Sequence, residues 1–325
     1  MEVSMRLCQF YLSEKDRAED LARRVPERGR LGVLVEGRIV DITDRAARHH
    51  DIRSPQYAGV LSASVAGLPE WAGFREEVKN LGGGNGVDPA KVYFGPCVLR
   101  PSQYLDFYAF EQHVMTMRKQ RGFDFIVPEW YEIPAYYNSN ATSMIGHGMT
   151  AYYPPGEERM DYECEMACVI GRPVRNATPE TAREAIVGYA VLNDLSARAR
   201  QTKAMPINMG PAPGKDFASA LGPYLVTKDE IKDLGALGMR AFVNGEKWTD
   251  GHYGTVQHSF EAMVAFASTA RWLYPGDVLG SGTVGGGCGA ELKRFLKPGD
   301  TVRVEIDELG SVENQVEHES RNTAQ

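Results

Sequence analysis

No Cys-x-x-Cys pair occurs, and the five cysteines (Cys8, Cys97, Cys164, Cys168 and Cys288) are odd in number and irregularly spaced. That argues against a disulfide framework and for a reduced, cytoplasmic protein. No apolar run approaches the length of a membrane span. The N-terminal stretch MEVSMRLCQFYLSEKDRAED meets acidic residues too early for the apolar region of a secretory leader. Gly-x-Ser-x-Gly is missing, which argues against a serine hydrolase elbow. No phosphate-binding loop is present either: Gly214-Lys215 is followed by Asp216 rather than Ser or Thr. The formal net charge of −7 argues against a nucleic-acid partner, because phosphate binding needs a basic surface. The basic cluster Arg118–Arg121 reads as a solvated helix face.

What remains is a soluble globular composition, 43% hydrophobic and 24% charged. A chain of 325 residues can bury a substantial core, in one large domain or a large one with a small one. Residues 1–95 read as a small N-terminal unit. In it Leu31–Val35 and Arg38–Val40 predict two short strands around a Glu-Gly turn. Leu21–Arg24 and Glu70–Lys79 predict helices, and Gly82–Gly86 (GGGNG) reads as a linker. A strand is expected over Val92–Leu99. Residues 96–325 form the larger unit, rich in short strands: Glu163–Ile170, Ile186–Leu192, Tyr224–Thr227, Met239–Val243 and Thr301–Ile306. Helices are expected over Phe107–Gln120, Thr178–Ala185 and Ser259–Trp272, with Thr178 as N-cap and Pro179 at the first position. Without regular βαβ alternation, the class is mixed and β-dominated, α+β. Pro275-Gly276-Asp277 and Pro298-Gly299-Asp300 each predict a turn into a strand. The polar tail after Gly310 reads as frayed, with a strand extending into it as the alternative.

Four carboxylates stand out. Side chains alternate along a strand, so Glu163 and Glu165 share one face, and Tyr162, Cys164 and Met166 take the other. Two like charges on a half-buried strand repel and are costly to desolvate, and a bound cation removes both penalties. An exposed edge bearing two glutamates is the plain alternative. Asp194 ends an apolar strand, where functional groups concentrate, and also suits a turn or a helix N-cap. A helix starting near Leu195 puts Arg198 and Gln201 on one face. Asp106 precedes a predicted helix and suits its N-cap; His113, seven residues on, lies on the same side of that helix. Carboxylates without Cys or His at ligand spacing select a hard cation over zinc: Mg²⁺ first, with Mn²⁺ or Ca²⁺ as alternatives. Gly210–Phe217 (GPAPGKDF) is a rigid loop presenting Lys215. The glycine-rich run Gly280–Gly289 either offers backbone N–H groups to an anion or is a surface loop. It lacks the βαβ context of a dinucleotide fingerprint.

In this order, DFYAFEQH (106–113), the Glu163-x-Glu165 pair, LNDLSARARQ (192–201), PGKDF (213–217) and SGTVGGG (281–287) resemble the fumarylacetoacetate hydrolase family over about residues 96–305. The resemblance implies a mixed β-sandwich roll, a homodimer, and a small SH3-like barrel for the N-terminal unit. It implies metal ligation by Asp106, Glu163, Glu165 and Asp194, and a water-activating His113. It places Arg198 and Gln201 on the substrate side, Lys215 with His113 among the catalytic groups, Thr283 at a substrate carboxylate, and Tyr108 and Tyr137 along the pocket. Two departures concern the partner of the histidine. Glu291 is the nearest match to the long hydrolases' glutamate, across a shorter loop, and Thr116 stands where short acylpyruvase-like members carry theirs. Met205 replaces a tyrosine. The implied activity is hydrolysis of a carbon–carbon bond in a 1,3-diketone or acylpyruvate-type acid. Oxaloacetate-type decarboxylation, 2-hydroxy-dienoate isomerisation and a degenerate ligand-binding member are the alternatives.

Overall fold

The computed structural model describes residues 5–23, 28–47 and 73–320. The larger sheet runs Arg38–Asp41, Arg30–Val35, Arg6–Tyr11, Tyr224–Thr227, Ile186–Asn193, Cys164–Ile170, Val278–Gly280, Tyr104–Phe107, Tyr136–Ser139. A second sheet runs Glu246–His252, Gly238–Val243, Thr301–Ile306, Gly310–His318, Ala151–Tyr153. The β-dominated, mixed α+β class expected from the sequence is what is found. No helix among the described residues is long and apolar enough to cross a membrane.

Strand alternation divides the side chains between two cores. Cys164, Met166, Cys168 and Ile170 pack with Met239, Ala241, Val243, Val302 and Val304 of the second sheet. Ala167 and Val169 belong to another core, with Leu7, Leu31, Val33, Leu192 and Val278. Each large aliphatic side chain buried this way contributes roughly 1.5–3 kcal/mol. Leu105 and Phe107 join the first core and Tyr104 the second. Period two then puts Asp106, Glu163 and Glu165 on the face turned away from the second sheet.

The N-terminal strands extend the same large sheet, because Arg6–Tyr11 pairs antiparallel with Tyr224–Thr227, Leu7 opposite Leu225. The expected hairpin forms, with Glu36 (φ 51°) and Gly37 (φ 75°) in the left-handed region a tight two-residue turn needs. The glycine run expected as a linker is packed instead. The Gly83 N–H donates to Glu36 Oε2 at 3.2 Å, and Val87 pairs with Ile39. The first helix spans Glu14–Arg23, earlier than expected, and residue 24 lies outside the described residues. A short helix over Thr43–Ala47 was not expected. The helix expected over 70–79 is Phe74–Lys79, and residues 70–72 of that expectation also lie outside the described residues. The strand expected over 92–99 is only Tyr93–Phe94, since Gly95-Pro96 cannot continue a ladder.

The helix expected from Phe107 begins at Glu111. Tyr104–Phe107 is a strand, paired on both sides with Val278–Gly280 and Tyr136–Ser139. The helix expected over 259–272 ends at Ala267, and Ala270 (φ 55°) turns the chain away. The tail is ordered strand over Gly310–His318, where Val312, Asn314 and Val316 alternate inward. Asn314 Nδ2 donates to the carbonyls of Gly146 (2.9 Å) and Met149 (2.8 Å), so a polar residue sits inside without an unmet donor. Both Pro-Gly-Asp units are turns into strands. The Asp277 and Asp300 N–H groups close onto Tyr274 and Lys297 carbonyls, and Gly276 and Gly299 both have φ 90°.

Thr178 caps the helix Pro179–Ala185, its hydroxyl accepting from the Thr181 N–H while the Thr181 hydroxyl accepts from the Thr178 N–H. Thr178→Ala is expected to lower stability by about 1 kcal/mol, and Thr178→Gly by only a few tenths. Urea denaturation checks this; no loss in either variant would show that the cap hydroxyl is idle.

Candidate active site

Three neighbouring strands bring the acids together. Asp106 comes from Tyr104–Phe107, Glu165 from Cys164–Ile170, and Val278–Gly280 runs between them. The intervening residue is Gly280, paired with both Asp106 and Ala167. A Cβ there would lie 2.5 Å from Asp106 Oδ1 and 3.1 Å from Glu165 Oε2, so glycine is what lets two carboxylates meet across a strand. Glu163 precedes the central strand, and Asp194 follows the end of Ile186–Asn193, whose Asn193 side chain accepts from the Glu163 N–H at 3.1 Å. Oxygens of Asp106, Glu163, Glu165 and Asp194 all lie within 4.8 Å of one another, and all four residues are buried.

The four carboxylates are unequal. Glu163 accepts from Arg198 Nη2 at 2.7 Å and from Lys215 Nζ. Burial opposes its ionisation, but the Lys215 ammonium and the Arg198 guanidinium outweigh it and hold the carboxyl below its usual range. Asp194 accepts from Lys215 Nζ at 2.6 Å, the Tyr137 hydroxyl at 2.7 Å and the Ser219 hydroxyl at 3.1 Å. Glu165 accepts from the Gly282 N–H at 3.1 Å and the Thr283 hydroxyl at 3.3 Å. Burial first, and then the Asp106 charge, push its carboxyl well above the usual range. Asp106 is pushed the same way, by burial and then by Asp194. Its Oδ1 is buried with no hydrogen-bond partner among the described residues. An orphaned carboxylate oxygen inside a cluster of four acids fits a hard divalent cation with oxygen ligands.

His113 reaches this cluster from the helix Glu111–Gln120. The route differs from the expected one, because Asp106 is a strand residue and no helical period links the two. A tight strand–loop–helix connection does so instead. His113 Nδ1 lies 2.8 Å from Glu291 Oε2, which leaves Nε2 available to a ligand. Glu291 is held by the N–H groups of Gly286 and Gly287, both at 3.1 Å, and by the Cys288 thiol. Against the effect of burial, His113 draws the Glu291 carboxyl below its usual range. Thr116 donates to the Gln112 carbonyl. The Tyr108 ring packs edge-on against His113, centroids 5.4 Å apart, and burial pushes its phenol up to about 12. The glycine-rich run thus supplies N–H groups to anions, as read from the sequence, but the anions are the chain's own Glu165, Glu291 and, through Gly289, Asp161.

A cavity of about 270 Å³ opens onto these groups. Asp106, Glu163, His113, Lys215 and Thr283 line it, together with Tyr108, Tyr137, Arg198, Gln201 and Met205. Glu165 and Asp194 sit just beneath. Arg198 is largely committed: Nε donates to Asp161 at 2.7 Å, Nη1 to Gln201 at 2.9 Å and Nη2 to Glu163. Two of its five N–H groups remain. Asp161 is the participant that sequence reasoning missed. Its signal was present in DYECE, where Asp161, Glu163 and Glu165 fall at successive even steps of an extended segment.

Residues 102–317 match the family model described as fumarylacetoacetate (FAA) hydrolase C-terminal, and the chain belongs to the fumarylacetoacetate hydrolase family, whose members are enzymes. A mitochondrial oxaloacetate tautomerase of Xenopus laevis is 39% identical over 184 residues, 56% of this chain and 58% of that protein. The chain thus spans less than two thirds of the length of the curated relatives it matches. A 5-carboxymethyl-2-hydroxymuconate delta-isomerase from Mycobacterium smegmatis superposes with a TM-score of 0.60 at 27% identity, over 73% of this chain and 84% of that one. Maleylpyruvate hydrolase from Sphingobium sp. SYK-6, solved with manganese(II) and pyruvate, gives 0.73 at 22% identity, over 97% of this chain and all of that one. At that identity the likeness concerns the fold.

Proposed function

We propose that this chain is a divalent-metal-dependent enzyme that works on 2-oxo acids through an enolate, hydrolysing the carbon–carbon bond of a 1,3-diketone or acylpyruvate-type acid. The observation that carries the reading is the His113–Glu291 pair opening onto the same cavity as a four-carboxylate cluster. A cation held by Asp106, Glu163, Glu165 and Asp194, Mg²⁺ or Mn²⁺, supplies Lewis acidity toward a carbonyl oxygen and stabilises the negative charge that develops there. The manganese of the maleylpyruvate hydrolase supports a divalent ion in this fold.

His113, oriented by Glu291, takes a proton from water as the water oxygen attacks the acyl carbonyl. The carbon–carbon bond then breaks with its electron pair on the pyruvate side, and protonation there gives pyruvate and a carboxylic acid. Lys215, with one N–H left after Glu163 and Asp194, stabilises the oxyanion or returns that proton. The free N–H groups of Arg198, with Gln201 and Thr283, hold the substrate carboxylate. The cavity suits a small acid.

Similarity to an oxaloacetate tautomerase favours a second reading. The same acids and the same histidine can move a proton between carbon and oxygen of a 2-oxo acid, consuming no water. Proton NMR in D₂O separates the two with acylpyruvate and oxaloacetate substrates and Mn²⁺. Hydrolysis yields pyruvate and a second acid. Tautomerisation exchanges the methylene protons and conserves the carbon skeleton. Neither product formation nor accelerated exchange would sink both.

A further inference from the structure

We infer that Asp161 is a positioning residue that ties the metal-side carboxylates to the proton-transfer pair; this rests on the function proposed above. Asp161 is completely buried. Its Oδ2 accepts from Arg198 Nε at 2.7 Å and the Ala290 N–H at 3.1 Å. Its Oδ1 accepts from the Gly289 N–H at 2.7 Å and the Tyr162 N–H at 2.9 Å. Four donors, one of them charged, converge on one carboxylate, and it does not line the cavity. Asp161 therefore acts through its neighbours rather than on a substrate.

Those neighbours lead to the two halves of the site. Arg198, fixed at Nε by Asp161, delivers Nη2 to Glu163. A guanidinium is a rigid plane, so holding one edge aims the other. Gly289 and Ala290 open the short helix Gly289–Leu292, and the next residue is Glu291, the partner of His113. Pinning two successive N–H groups fixes where that turn starts, and with it the Glu291 side chain. The approach depends on glycine: a Cβ on Gly289 would sit 2.7 Å from Asp161 Oδ1 and 2.1 Å from the Arg294 carbonyl oxygen. Glu163 and Glu291 come from distant parts of the chain, and Asp161 is one residue removed from each.

Asp161→Asn keeps the size but leaves an amide nitrogen facing donors. Mn²⁺ affinity, read by electron paramagnetic resonance on the purified full chain, should weaken about tenfold or more, the usual effect of losing a group that orients a ligand. The fall in kcat should be shared with Glu291→Gln, so that the double variant is less impaired than the product of the two singles. A merely structural role would lower the fraction of competent protein without changing the Mn²⁺ dissociation constant, and would leave the two effects multiplicative; either result overturns the inference. If Asp161→Asn does not fold, Arg198→Lys tests the same link, since an ammonium cannot span Asp161 and Glu163 as a planar fork does. Unchanged Mn²⁺ affinity in it overturns the inference too. A wild-type chain that binds no Mn²⁺ would instead sink the proposed function.

Discussion

Glu165→Gln should abolish metal-dependent turnover and at the same time raise the melting temperature of the metal-free protein. The two effects have opposite signs because the same charge serves one state and burdens the other. Without a cation, Asp106 and Glu165 lie buried among acids, and burial, reinforced by the neighbouring carboxylates, holds both well above the usual carboxylate range. A folded-state value above the unfolded one gives a contribution that is fully present below the ordinary carboxylate pKa and is lost as pH rises through the raised value. The metal-free wild type should therefore lose stability relative to Glu165→Gln as pH rises. Gln keeps an oxygen for the Gly282 N–H and can donate to the Thr283 hydroxyl, so little packing or bonding is lost. A gain on the order of 1 kcal/mol, a few degrees, is expected. Mn²⁺ affinity should fall more than about a hundredfold, since even residues that only orient a ligand are worth roughly 10–100-fold. At a hundred times its dissociation constant, Mn²⁺ should stabilise the wild type by about 2.7 kcal/mol and the variant by less than about 0.4 kcal/mol. Thermal melts with and without Mn²⁺, at several pH values, check all of this. A variant that binds Mn²⁺ normally, or that is less stable than the wild type without it, contradicts the carboxylate site.

How much of that site was legible beforehand depended on which physical rule governed each residue. Glu163 and Glu165 follow strand alternation, a local rule, and the structure has them on the expected face. Asp106 suits a helix cap as readily as a metal ligand, because an acid before an apolar-rich run looks like a cap. Pairing of Tyr104–Phe107 with strands far away in sequence overrode that local signal. His113 still arrives, by tertiary packing rather than by helical period. Gly280 illustrates what a sequence cannot display: its value lies in the space between two carboxylates on neighbouring strands, and nothing adjacent in the chain reveals it. Asp161 was within reach by the same alternation that found Glu163, but its partners Gly289 and Ala290 lie more than a hundred residues away. The tail looked frayed by composition, yet V-x-N-x-V is an alternating pattern whose polar member finds two carbonyls inside.

His113→Ala should leave Mn²⁺ affinity near wild type and lower kcat by roughly 10²–10⁴, the usual worth of a positioned general base. The separation is expected because His113 bonds to Glu291 and not to any of the four clustered acids. Glu291→Gln should reduce kcat as well, since an amide can present either its oxygen or its nitrogen to Nδ1 and no longer fixes which ring nitrogen carries the proton. Added imidazole should restore part of the activity of His113→Ala, because the cavity beside the missing ring is open to small molecules. It should not restore Glu291→Gln, where the ring is still in place. The pair of assays used for the proposed function then becomes decisive. If one base serves both reactions, hydrolysis of acylpyruvate and deuterium exchange into a 2-oxo acid fall together in His113→Ala. If hydrolysis falls and exchange survives, His113 acts on water alone, and the enolate forms through a base other than His113; Lys215 is not that base, because its ammonium donates to both Glu163 and Asp194. Unchanged rates in both assays would remove His113 from the chemistry and leave the four acids as the whole of the site.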